Sequence, residues 1–233
     1  MLNRTNSVAA ALDARRAIAS ELRDYLDEVP PSPFDWSSFD PAPALGSGAA
    51  DLRLVALSRL LCSAPARAAE LRTLWTESLV TAAFALRLAP RLGADASTGA
   101  IAGLLHRLGD MLTLRAIGAI EQVSGVRLDG FDRSELCASF GGEQLDRALR
   151  AWNVPARAAM TAAGWRRLCE FPGASGESAT VYLARLFAVE RLSPAFCVPG
   201  FVEGAIAELG LDAASLSGLR SDATITALLT NPQ

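Results

Sequence analysis

The chain holds a single histidine, His106, in the stretch GLLHRLG (103–109), with Asp110 four residues beyond it. An imidazole and a carboxylate at that spacing share one face of a helix, and such a pair can ligate a divalent metal. Metal-assisted hydrolysis needs more: several side chains must converge from different helices so that the ion can hold and activate a water. One histidine followed directly by Arg107, a permanent cation, offers too few donors and a repulsive neighbour. His106 is therefore expected to be structural, hydrogen-bonded at a junction of helices. Asp110 is expected to make a surface pair with His106 or Arg107, one turn back on the same helix.

Other chemistries are excluded more directly. All 22 basic residues are arginine, so there is no lysine for a phosphate-binding loop, a Schiff base or a general base. No Gly-x-Ser-x-Gly elbow is present to carry a serine nucleophile. The glycines of GASGE (173–177) follow no strand pattern and do not make a phosphate cradle. Adjacent carboxylates such as Asp27 and Glu28 point in different directions on a helix and form no acid–base pair. Cys62, Cys137, Cys169 and Cys197 form no Cys-x-x-Cys pair and are expected to be buried, reduced thiols.

A net charge of −3 supplies no general attraction for nucleic acid. Trp75, Trp152 and Trp165 are expected in the core or at helix junctions rather than as stacking platforms for bases. The best cation–aromatic candidate for contact with a partner is Trp165 with Arg166 and Arg167, in GWRRLCEF (164–171), whose alternative is a solvated helix end.

The elements that must position these residues read as helices. With 51% hydrophobic and 20% charged residues the chain has the composition of a globular protein, and its apolar residues recur at steps of three and four. The spacing predicts helices over about 8–29, 51–62, 66–89, 97–123, 133–152, 155–169, 177–192, 200–209 and 221–229. Breaks are expected at Gly93, at SGVRLDG (124–130), at Pro155 and at FPGASGE (171–177). Residues 30–48, PPSPFDWSSFDPAPALGSG, are too rich in proline for regular structure. Their Phe34, Trp36 and Phe39 are too apolar for a solvated tether, so they either pin the loop to the domain or dock a partner. The fold expected is all-α, with an N-terminal helix and proline-rich loop (1–49) before a helical domain (50–233), or one continuous domain. No apolar run is long enough to span a bilayer, and the N-terminus lacks the pattern of a secretory signal, so a cytoplasmic location is expected.

Four stretches in order resemble one family. LWTESLVTAAFALRLA (74–89), AIAGLLHRLGDMLTL (100–114), LRAWNVPARAAMTA (149–162) and ATVYLARLFAVERL (179–192) are similar to the Leu-Trp-x-x-Ser helix, the Ala-Gly-Leu-Leu-His-x-x-Gly signature, the Leu-x-x-Trp-x-x-Pro element and the closing helix of the HD-related output domain (HDOD) family. These are bacterial signalling relatives of the HD-type metal-dependent phosphohydrolases. The resemblance implies an HD-like helical bundle, here with a shortened or divergent N-terminal helical part. It also sets Glu77 where an earlier ligand histidine would stand, and Gly141 and Trp165-Arg166 near later ones, so that Glu77, His106 and Asp110 are the candidates for a vestigial metal site. The function implied is a noncatalytic signalling module, without metal or other cofactor, that binds another signalling protein; neither membrane nor nucleic acid is expected as a partner, and self-association is left open. The alternatives are a phosphohydrolase with an atypical site and a sensor of a small ligand, such as a nucleotide signal, in the ancestral cleft.

Overall fold

The computed structural model describes residues 2–46, 51–164, 176–198, 200–220, 222 and 225. Among them the regular structure is helical: α1 (Leu2–Leu26), α2 (Pro41–Gly46), α3 (Leu52–Leu61), α4 (Ala68–Leu88), α5 (Ala96–Leu105), α6 (Leu108–Ser124), α7 (Gly130–Ala151), α8 (Ala156–Gly164), α9 (Gly176–Leu192), α10 (Phe201–Glu208) and α11 (Ala213–Arg220). No helix in this set is long and apolar enough to cross a membrane.

The helix ends follow side-chain chemistry. Asp51, Asp95 and Asp129 accept backbone N–H bonds from Arg53, Thr98 and Asp132 at the starts of α3, α5 and α7, satisfying donors that the first turn leaves unpaired. The Asp129 cap explains why α7 begins at Gly130 instead of 133. Asp212 caps α11 through the N–H groups of Ala214 and Ser215, a helix that apolar periodicity alone does not mark; the helix expected over 221–229 lies largely outside the described residues. Gly93 and Gly125 end helical segments at φ +65° and +72°, a region where a Cβ is costly.

The proline-rich segment departs from expectation by holding α2 and a 3-10 turn at Trp36–Ser38. Asp40 accepts the Ala42 N–H at 3.0 Å, and Pro41 and Pro43 fall in the first turn, where a missing N–H costs little. The segment is fastened by aromatic packing: Trp36 is buried and stacks on Trp152 with ring centroids 6.2 Å apart, Phe34 packs against Trp36 at 4.5 Å, and the Trp152 indole N–H donates to the Pro30 carbonyl. The C-terminal end of α1 is held too, because Gln144 on α7 donates to the Leu26 carbonyl at 3.0 Å. The described part of the N-terminal segment thus packs directly on the helices that follow.

At the centre lies α4, buried without interruption from Ser78 to Ala85, with α5 on one side and α9 on another. Small residues set the distance: a Cβ added at Gly103 of α5 would stand 3.0 Å from the Ala82 Cα of α4. A second core, around Phe84, Phe187, Val202, Ile206, Leu216 and Leu219, joins α4 and α9 to α10 and α11.

The helix expected over 97–123 is two helices. Arg107 breaks it at φ −104°, ψ 4°, and the His106 ring at the end of α5 hydrogen-bonds the Gly103 carbonyl at 2.7 Å. A carbonyl can only accept, so Nδ1 carries the proton and caps an acceptor that the end of α5 would otherwise leave unpaired. Leu105 and Leu108 flank the break, each about 1% exposed. Leu105→Ala or Leu108→Ala is expected to cost about 2–5 kcal/mol through cavity formation, against about 1–3 kcal/mol for His106→Ala, which removes a buried polar contact. Thermal unfolding of the three variants side by side checks the order.

Candidate functional site

Glu77 projects from α4 towards the α5–α6 break. Its Oε1 lies 3.7 Å from His106 Nε2, 3.9 Å from Arg107 Nε and 3.0 Å from Arg185 Nε on α9. Burial by itself would raise the Glu77 pKa; the guanidinium charges of Arg107 and Arg185, gathered with it beside His106, outweigh it and bring it to about 2. Burial pushes the His106 imidazole below its usual value, against the pull of Glu77. With the ring neutral, the charge opposing the carboxylate comes from the two guanidiniums. Arg185 was not a sequence candidate; nothing in the local pattern of ATVYLARLFAVERL marks it as the arginine that α9 turns towards α4.

Asp110 is buried and engaged by Arg107, whose Nη1 lies 2.8 Å from its Oδ2. The pair expected at the surface is therefore an interior one, and the break places Asp110 on α6, a different helix from the one His106 ends. Gly109 and Gly141 explain how α6 and α7 approach here. A Cβ at Gly109 would stand 1.8 Å from the Gly141 carbonyl oxygen, and one at Gly141 would stand 2.5 Å from Asp110 Oδ1. Gly103 and Gly109, expected on one helix, serve opposite sides of the break: Gly103 admits α4, Gly109 admits α7. The cleft left beside His106, Gly109 and Gly141 is about 130 Å³, below the roughly 300–1,000 Å³ of small-molecule sites.

Tested against a divalent metal, this donor set does not fit. Among the described residues no three His, Cys, Asp or Glu side chains gather to hold an ion, His106 Nδ1 is spent on a backbone carbonyl, and arginine nitrogens stand against both carboxylates where an ion would have to approach. The other sequence candidates are dispersed. Trp36 is buried and Phe34 half-buried in the loop packing, so the indole of Trp36 is not presented to a partner. Trp165, Arg166 and Arg167 lie outside the described residues, as does Cys169. Cys62, Cys137 and Cys197 are half-buried free thiols rather than fully buried ones, and burial, aided by the Asp110 charge, pushes Cys137 up to about 12.

A second ionic cluster lies at the other end of α6 and was not apparent from the sequence. Glu121, its side chain fully buried, accepts two bonds from Arg67, at 2.7 and 2.5 Å, and one from the Leu128 N–H at 2.8 Å. Arg67 also bonds Glu70, which Arg133 of α7 bonds at 3.1 Å. These residues are 54 and 63 positions apart in sequence, and only the packing of α4, α6 and α7 joins them.

Comparison with curated proteins and with solved structures finds no match to this chain. The family comparison is positive: residues 52–163 match the model of the HDOD domain. That segment runs from α3 through α8 and contains Glu77, the α5–α6 break with His106, and the Gly109–Gly141 contact. That segment, just under half of the chain, is similar to the HDOD domain, a helical HD-like unit.

Proposed function

We propose that this chain is a noncatalytic regulatory domain that works by binding another signalling protein, its ancestral metal site replaced by an internal ion cluster. The observation that supports the reading is the pairing of both candidate carboxylates with guanidiniums: Glu77 with Arg185 and Arg107, Asp110 with Arg107. A guanidinium neutralises a buried carboxylate as a metal would but supplies no open coordination position and no activated water. Selection of a nucleotide signal in the ancestral cleft is disfavoured by its size, about 130 Å³.

The test pairs composition with turnover. Elemental analysis of the purified chain is expected to find no stoichiometric transition metal, and cyclic dinucleotide and simple phosphoester substrates are expected to remain intact. About one metal per chain, lost together with a measurable turnover in a folded His106→Ala variant, would overturn the proposal and establish a phosphohydrolase.

A further inference from the structure

Besides the cleft beside His106, the HDOD segment holds a cavity of about 450 Å³ between α4, α6 and α7, on the other side of Arg107 and Asp110. Its volume falls in the range of small-molecule sites. Two carboxylates reach it, Glu70 and Asp110, and both are already engaged: Asp110 by Arg107, Glu70 by Arg67 and Arg133. Two guanidiniums reach it from different walls, and they are not used up. Arg107 spends Nη1 on Asp110 and sets Nε 3.9 Å from Glu77, while Arg133 spends Nε on Glu70 and Nη1 on the Leu128 carbonyl. Neither Nη2 group makes a described bond to the protein, and a guanidinium carries five N–H donors. The hydroxyls of Thr73 and Ser134 line the same space, with Leu74 and Leu114 as apolar wall.

A cavity whose acceptors are satisfied while its donors are in surplus favours an acceptor-rich guest. We propose that it binds a small organic anion, a carboxylate or phosphoryl group on a compact apolar body. The anionic group takes the Nη2 donors of Arg107 and Arg133, and the apolar body lies on Leu74 and Leu114. Planar guanidinium forks bind carboxylate and phosphoryl oxygens in pairs, so one anionic group can bridge donors from both walls. This site is a pocket that opens to solvent past Thr73 and Ser134, and its anion binding does not depend on which protein the domain binds.

The test titrates the full chain by calorimetry with 3-phenylpropionate, phenyl phosphate and, as uncharged control, 3-phenylpropanamide. The expected result is saturable binding of at least one anion, about tenfold or more tighter than the amide, the loss matching one charge-assisted bond; which anion wins identifies the preferred group. Arg107→Gln should weaken it about tenfold or more. Because Arg107 also belongs to the internal ion cluster, Ser134→Trp is the second variant: Ser134 is exposed at the cavity wall, so the indole should block entry while the far-UV spectrum stays unchanged. Arg16→Gln, on the exposed face of α1, should bind as the parent does. Equal binding of amide and anions, anion binding undiminished in folded Ser134→Trp, or no saturable binding of either anion at millimolar concentration would each overturn the proposal.

Discussion

Gly109→Ala is expected to abolish the native packing of α6 on α7, with a cost of about 4 kcal/mol or more, seen as loss of soluble protein or of a cooperative thermal transition. The added methyl would stand 1.8 Å from the Gly141 carbonyl oxygen and 2.9 Å from Leu145 Cβ. The first of these is backbone and cannot rotate away, so the two helices must separate, and with them the buried Asp110 and the leucines around the break. The neighbouring glycine of α7 predicts the opposite. A Cβ at Gly142 meets nothing within 4 Å, and inside a helix alanine is better than glycine by about 0.5–1 kcal/mol. Gly142→Ala should therefore raise the melting temperature. Similar effects of the two substitutions would mean that α6 and α7 are not in backbone contact.

Glu77→Gln is expected to destabilise the chain by roughly 3 kcal/mol at pH 7, because it leaves the guanidiniums of Arg107 and Arg185 without their carboxylate. The effect carries its own pH signature. The folded pKa of Glu77, about 2, lies below the ordinary value of 4.5, so between these values the unfolded chain binds the extra proton and stability rises with pH. The contribution of Glu77 is thus fully present above about 4.5 and lost as pH falls through about 2. It is on the order of 3 kcal/mol for a group that is mostly buried. Other carboxylates held low in the folded chain, Glu121 and Asp51 among them, also weaken the protein in acid. The diagnostic quantity is therefore the difference in unfolding free energy between parent and Glu77→Gln, which should shrink from pH 7 towards pH 2. A difference that does not change with pH would remove Glu77 from the ion cluster as an anion.

Much of the architecture was legible in the sequence because helices declare themselves locally. The three-and-four spacing of leucines and alanines marks α4, α6, α7 and α9, while Gly93, the 124–130 turn and Pro155 stop or start helices through backbone geometry that each residue carries with it. The family resemblance was legible for the same reason, its motifs lying within single helices. The break between α5 and α6 was not. GLLHRLG continues an apolar pattern without glycine or proline at the break itself, and what permits the turn is the His106 ring returning to the Gly103 carbonyl.

For the site, residue types alone determined that imidazole ligands are scarce: the chain has one histidine, and an arginine follows it directly. Only the tertiary structure decided what occupies that place. Arg185 reaches Glu77 across 108 positions of sequence, and Glu121 meets Arg67 across 54. The Gly109–Gly141 contact depends on how two amphipathic helices rotate about their axes. Periodicity sets which face of a helix is apolar, but the partner of a buried charge depends on the angle and distance at which that face meets the next helix. Those are fixed by the fit of small residues across the interface, which a single helix cannot express.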